Sequence, residues 1–286
     1  MQNVEIARRL EEVADLLEAQ GANPFRVQAY RRAAGSVRRL PRPVADIWRE
    51  GGDEALRAVT GIGERLSAAL RSLVATGRLP MLDRLRGELD AVALLSSVPG
   101  VGPVLAERLH SDFGIETLED LEAAAHDGRL SDIAGIGKKK LAGIIDTLAA
   151  RLGRVPRRGP TPALQEPSVE ELLDVDREYR EKAAAGELAT IAPRRFNPSR
   201  QAWLPILHTR RGELNYTALY SNTARAHQLG RERDWVVLYY DSGREERQCT
   251  VTTAQRGVLA GKRMVRGREA ECEAFYAPRL EVLRTG

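Results

Sequence analysis

The residues best placed to do chemistry are glycines, and they come in three matching sets. Val59-Thr60-Gly61-Ile62-Gly63, Val98-Pro99-Gly100-Val101-Gly102 and Ile133-Ala134-Gly135-Ile136-Gly137 each read as apolar, spacer, Gly, apolar, Gly. Each precedes a run with helical spacing: Leu66/Leu70/Leu73, Val104/Leu105/Leu109 and Leu141/Ile144/Ile145. Glycine carries no Cβ, so such a loop can turn tightly and lie close to another molecule. The helix that follows opens with amides that have no partner inside it, and its dipole favours an anion there. Pro103 suits the first turn of the second of these helices. Lys138, Lys139 and Lys140 add positive charge at the start of the third. The chemistry implied is anion binding by main-chain N–H groups at Gly61, Gly63, Gly100, Gly102, Gly135 and Gly137. A phosphate backbone is the natural ligand.

The sets begin 39 and 35 residues apart, about the length of a helical pair with its connector. The chain around them has 286 residues and is 43% hydrophobic, enough for two domains with real cores. A net charge of +4 is mild and would not by itself identify a nucleic-acid binder. Only five of the 44 basic residues are lysines. Two cysteines, Cys249 and Cys272, make neither a disulfide framework nor a metal cluster. With no apolar run of membrane-spanning length and no signal-peptide pattern, the expected setting is a reducing cytosol, in association with the nucleoid.

Taken in order, residues 3–20 have the apolar stripe of an amphipathic helix, with Asn3 as its expected N-cap. A second helix is expected from Phe25 to Leu40, with Arg26, Arg31, Arg32, Arg38 and Arg39 on its basic side. A third, short helix from Val44 to Trp48 leads to Gly51-Gly52 and the first glycine elbow. Between the second and third elbows, Ile115 to Ala125 reads as a helix capped by Thr117. Residues 151–167 mix arginine with proline and form a basic linker. The domains expected are 1–85 and 86–150, both helical, then the linker, then 168–286. The fold class is α+β: an all-α amino-terminal region with three helix-hairpin-helix motifs, followed by a smaller mixed α/β domain.

One string of residues carries a resemblance. Asn23-Pro24-Phe25-Arg26-Val27-Gln28-Ala29-Tyr30-Arg31-Arg32-Ala33-Ala34, then Gly61-Ile62-Gly63, Thr76-Gly77, Pro99-Gly100-Val101-Gly102-Pro103 and Phe113-Gly114-Ile115-Glu116-Thr117-Leu118 resemble the amino-terminal half of the family X DNA polymerases. The resemblance covers about residues 3–150. It implies a small helical domain that holds a downstream 5′-phosphate and a second helix-hairpin-helix domain that grips the other strand. It assigns the 5′-phosphate contacts to Arg26, Tyr30 and Arg65. Forked guanidinium donors and a phenol suit phosphate oxygens. It also implies a monovalent cation, K+ or Na+, held by the backbone carbonyls of Arg57, Val59 and Ile62 and of Ser96, Val98 and Val101.

The chain departs from that family at both of its catalytic centres. The Schiff-base lysine of the family's lyase falls on Ala69, and a Schiff base needs an amine. The polymerase palm needs convergent carboxylates for two metals. The one Asp-x-Asp here, Asp174-Val175-Asp176, follows the capping box Ser168-Val169-Glu170-Glu171 on a helix expected to run to Leu188. On a helix, positions two apart do not face each other.

Beyond that helix the sequence reads as mixed α/β, with strands at Trp203–Thr209, Leu214–Ser221, Trp235–Tyr240 and Gln248–Thr253. Pro205 favours an edge strand. Asn222 or Thr223 caps a short helix, Asp241-Ser242-Gly243 turns a hairpin, and Arg268–Tyr276 is a last helix. His208 and His227 lack a recognisable catalytic partner in the sequence. Arg194, Arg195, Phe196, Arg200 and Trp203 interleave charge with aromatics, as single-strand binders do. The sequence points to a non-catalytic, non-sequence-specific DNA-binding protein, a repair accessory that recognises gaps, nicks or 5′-phosphate ends. The alternatives are a DNA-processing enzyme with its active site in the carboxyl-terminal domain, and a DNA-bound scaffold for a protein partner.

Overall fold

The structure is a computed structural model that describes residues 1–87, 91–115, 118–126, 128–130, 133, 135–152, 166–241 and 246–284. These fall into two compact units. The first holds residues 1–152 together with 192–201; the second holds 166–191, 202–241 and 246–284.

The first unit is helical: α1 (Asn3–Ala19), α2 (Pro24–Arg39), α3 (Val44–Arg57), α4 (Glu64–Thr76), α5 (Pro80–Arg86), α6 (Ala91–Ser96), α7 (Pro103–Phe113), α8 (Leu118–His126) and α9 (Lys138–Leu152). The stripe Ile6, Ala7, Leu10, Val13, Ala14 and Leu17 is fully buried, and α1 packs along the apolar side of α2. Asn23 caps α2, its side chain accepting from Phe25 N at 2.9 Å, and Pro24 takes the first turn. Asn3 does not cap its own helix; Gln2 holds that position, without a side-chain bond. Instead the Asn3 amide accepts from Val44 N at 2.9 Å and donates to Arg42 O at 2.8 Å. It caps α3 from a distance, because Pro43 before Val44 has no side-chain acceptor to offer. Helix α3 is longer than expected. It continues past a kink at Gly52 (φ 62°, ψ −154°), a conformation that glycine reaches without Cβ strain.

Helices α6 to α9 share one core. It includes Leu95, Leu109, Leu121, Leu130, Ile144 and Leu148, and also Val101 and Ile136, the central residues of the second and third elbows. Helix α8 begins at Leu118, with Ile115 buried ahead of it. The expected cap, Thr117, lies outside the described residues, as do most of the 151–167 linker and residues 242–245 of the Asp241-Ser242-Gly243 turn.

The second unit is a meander. Helix α10 (Val169–Ala185) precedes strands β1 (Ala189–Ile191), β2 (Leu204–Arg211) and β3 (Leu214–Tyr220), helix α11 (Ala224–Gln228), strands β4 (Val236–Asp241), β5 (Arg247–Thr253) and β6 (Arg263–Val265), and helix α12 (Glu269–Arg284). The strands lie side by side in chain order, each antiparallel to the next. Ser168 caps α10 by accepting from Glu171 N at 3.1 Å. The helix stops at Ala185, three residues short of expectation, because Gly186 turns left-handed (φ 70°). Leu172, Val175 and Tyr179 of α10 share a core with Tyr216, Ala218, Leu238 and Val251 of the sheet.

Strand β2 is not an edge strand, since β1 pairs beside it, with Thr190 opposite Pro205. Beside this proline the Tyr179 hydroxyl enters the ladder. It donates to Pro205 O at 3.0 Å and accepts from Tyr220 N at 2.8 Å. Burial pushes the Tyr179 hydroxyl well above the usual tyrosine range, so it remains a donor.

Candidate nucleic-acid interface

The three elbows have the same geometry. In each, the amide of the central apolar residue donates back to the carbonyl three residues before it. The bonds are Ile62 N to Val59 O at 3.0 Å, Val101 N to Val98 O at 2.9 Å and Ile136 N to Ile133 O at 3.0 Å. The first glycine takes the left-handed position of that turn, with φ of 84°, 91° and 95° at Gly61, Gly100 and Gly135. A turn of this kind needs glycine or asparagine there. The central Ile62, Val101 and Ile136 are buried, and both glycines of every elbow are exposed. The third elbow forms the same turn as the first two.

The second glycines behave differently. Gly63 (φ −84°) and Gly102 (φ −74°) have ordinary backbone angles, and both are helix N-caps. A Cβ built on Gly63, Gly102 or Gly137 would meet nothing within 4 Å. Neither a left-handed backbone nor close packing within the chain requires glycine at these positions; glycine is an accepted N-cap, but Ser, Asp or Asn would cap better.

Around the elbows the charges differ. Glu64 is an exposed carboxylate directly after Gly63, whereas Gly137 is followed by exposed Lys138, Lys139 and Lys140. Lys140 turns back: its Nζ donates to Gly135 O at 2.9 Å. Its aliphatic stem lies over Gly100, where a Cβ would meet Lys140 Cγ at 3.6 Å. Beneath the first elbow, buried Ser67 donates to Asp53 O at 3.3 Å, and Arg71 pairs with Asp53 at 2.7 Å, tying α4 to α3.

Arg26, Tyr30 and Arg65 come together, from α2 and α4. Arg26, placed by the sequence on the basic side of its helix, is buried. It is 8% exposed, beside a Tyr30 that is 3% exposed, because this turn of α2 faces α5 rather than water. All three residues converge on one atom, the sulfur of Met81 on α5. Tyr30 Oη lies 3.0 Å from it, an Arg65 Nη 3.2 Å and an Arg26 Nη 3.8 Å. The Arg65 guanidinium also sits 5.8 Å from the centre of the Tyr30 ring, within cation–π range. Nothing in the sequence marked Met81. A methionine in an apolar stretch reads as core, and only the fold shows what points at it.

The proposed cation ligands are carbonyls at or beside two of these turns. Val59 O and Val98 O each already accept one turn amide. A carbonyl has a second lone pair, so both can still take a cation. Ala69, at the lyase lysine position, lies on α4.

In the second unit, Asp174 and Asp176 do not converge. Asp174 pairs with Arg177 and, at 2.8 Å, with Arg211. Asp176 is fully buried and pairs with Arg263 at 2.6 Å and Arg180 at 3.0 Å. His208 Nδ1 lies 3.0 Å from Thr217 Oγ1, and His227 Nε2 lies 2.6 Å from Asn222 Oδ1. Among the described residues, no three His, Cys, Asp or Glu side chains gather as metal ligands would. Among them, too, no helix is long and apolar enough to cross a membrane. Arg195 pairs with Glu107 at 3.1 Å and lies 5.2 Å over the half-exposed ring of Phe196.

Comparison with known proteins agrees with this geometry. Residues 1–79 match the helix-hairpin-helix domain family, and residues 92–150 match a SAM-like helix-hairpin-helix tandem, which spans the second and third elbows. The chain is also 27% identical, over 161 residues, to the DNA polymerase/3'-5' exonuclease PolX of Bacillus subtilis (strain 168). That alignment takes in 56% of this chain and 27% of the relative, so the chain spans about a quarter of that protein's length. The amino-terminal region is therefore PolX-like and built on helix-hairpin-helix domains, and these likenesses support DNA binding as its role.

Proposed function

We propose that this protein binds DNA through the sugar-phosphate backbone without reading sequence, and that it prefers gaps, nicks or ends that carry a 5′-phosphate. The observation that carries the reading is the second glycine of each elbow. Its backbone angles are open to other residues and the space around it is free. A close approach by a molecule outside the chain accounts for it, as when main-chain amides bind a phosphate. The PolX-like character of the region supports a repair setting. Arg26, Tyr30 and Arg65 supply the 5′-phosphate contacts, and the backbone carbonyls of the first two elbows would hold K+ or Na+, which would add positive charge beside the backbone. The sheet unit serves as the platform for a protein partner.

The test uses a gapped duplex with either a 5′-phosphate or a 5′-hydroxyl at the downstream end. Tighter binding of the phosphorylated form, by about tenfold, is expected from charge-assisted bonds. Equal affinity for the two would remove end recognition while leaving backbone binding in place. Affinity that is insensitive to salt would remove both.

A further inference from the structure

The sulfur of Met81 occupies the point where three donors meet, and it is a poor acceptor for them. A thioether accepts hydrogen bonds weakly, whereas a phosphate oxygen accepts strongly and with charge assistance. We propose that Met81 is a displaceable plug: its side chain stands where a phosphate oxygen would sit, and an anion enters only when that side chain swings away. Met81 thereby sets how strongly the protein distinguishes a 5′-phosphate. This deepens the reading that Arg26, Tyr30 and Arg65 hold that group.

The structure lets the side chain move while its helix stays. Helix α5 is fixed at points away from Met81. Leu82 and Leu85 are buried, Arg86 pairs with Glu12 of α1 at 2.5 Å, and Gln20 donates to Leu85 O at 2.9 Å. Arg78 pairs with Asp83 at 2.8 Å, holding the α4–α5 connection. Methionine is unbranched, with three rotatable bonds, and it refills irregular spaces readily. At 6% exposure it is buried together with Arg26 and Tyr30, while Arg65 is half-buried. A branched aliphatic residue would close the same space with fewer ways to leave it.

The full-length protein, labelled with 13C at its methionine methyl groups, offers a direct test, since the chain has only three methionines. The Met81→Leu variant identifies the Met81 signal. That signal is expected to shift when the 5′-phosphorylated gapped duplex is added and to stay in place with the 5′-hydroxyl duplex. In binding assays Met81→Ala is expected to raise the phosphate-to-hydroxyl preference by about tenfold, equivalent to about 1.4 kcal/mol. Met81→Leu is expected to hold the preference at or below that of the natural protein.

If the natural protein prefers the phosphate and loses that preference in Tyr30→Phe, while the Met81 signal does not move, the plug is overturned and the phosphate site stands. A preference that appears only in Met81→Ala supports the plug. No preference in either protein overturns plug and phosphate site together. Should Met81→Ala fail to fold, the methyl signal of the natural protein decides.

Discussion

Arginine does different work in the two units. In the sheet unit, Arg263 bridges two carboxylates. It binds Asp176 at 2.6 and 3.0 Å and Asp234 at 2.7 Å, and it also donates to Val251 O at 3.1 Å. Asp234 in turn accepts from Thr252, Thr253 and Arg263. Such charge is neutralised within the fold. In the helical unit, Arg26 and Arg65 share a thioether with a tyrosine hydroxyl. The contrast separates positive charge that ties strands to a helix from positive charge gathered around a thioether. Composition could not have made that distinction, because both sets are simply arginine.

The largest effect expected from breaking this contrast is on stability. Asp176→Ala leaves Arg263 and Arg180 without their buried partner and should cost about 3 kcal/mol, the lower end for a broken buried pair since Asp234 remains. Urea unfolding measures it, and affinity for duplex DNA should be unchanged in the folded protein. A loss below about 1 kcal/mol would place the network with ordinary surface pairs.

The glycine elbows sharpen the comparison at intermediate size. Gly100→Ala forces a left-handed alanine and should destabilise by about 1 kcal/mol or more. Gly102→Ser, with ordinary angles, open space and a capping hydroxyl, should stay within about 0.5 kcal/mol of the natural protein yet bind duplex about fivefold to tenfold more weakly. Melting and binding measured on the same samples separate the two. If Gly102→Ser binds normally, the second glycine is not an approach site.

The smallest effect concerns Glu178. Burial pushes its carboxyl upward, but the donors Lys182, Arg211 and Thr209 together outweigh that and hold it below the usual range. A lowered carboxylate stabilises the fold above its unfolded value of about 4.3, and the benefit disappears as pH falls through the folded value. Glu178→Gln should therefore flatten stability against pH below about 4.5, by no more than about 0.5 kcal/mol at this partly exposed site. An unchanged acid limb in denaturant titrations would count against it.

The elbows were plain in the sequence because Gly-apolar-Gly before a helical run is a local signal repeated three times. Strands β2 to β5 were legible for the same reason, through apolar alternation and turn residues. The three-residue strands β1 and β6 were not, since a pattern of period two needs more residues to show itself. Pro205 misled because the strand that covers β2 is β1, only three residues long and without a pattern of its own. Asn3 misled likewise: its partners at 42 and 44 are set by how α1 lies on the α2–α3 connection. Arg26, Tyr30 and Arg65 were assembled only by resemblance. Met81 was invisible because convergence on a point is a property of three dimensions.

Lys140 gives the tandem of elbows a mechanical character. With its ammonium fastened to one loop and its carbon stem resting on the other, it works as a rivet. The second and third loops are then held like the fixed jaws of a caliper, at an interval set by the protein itself.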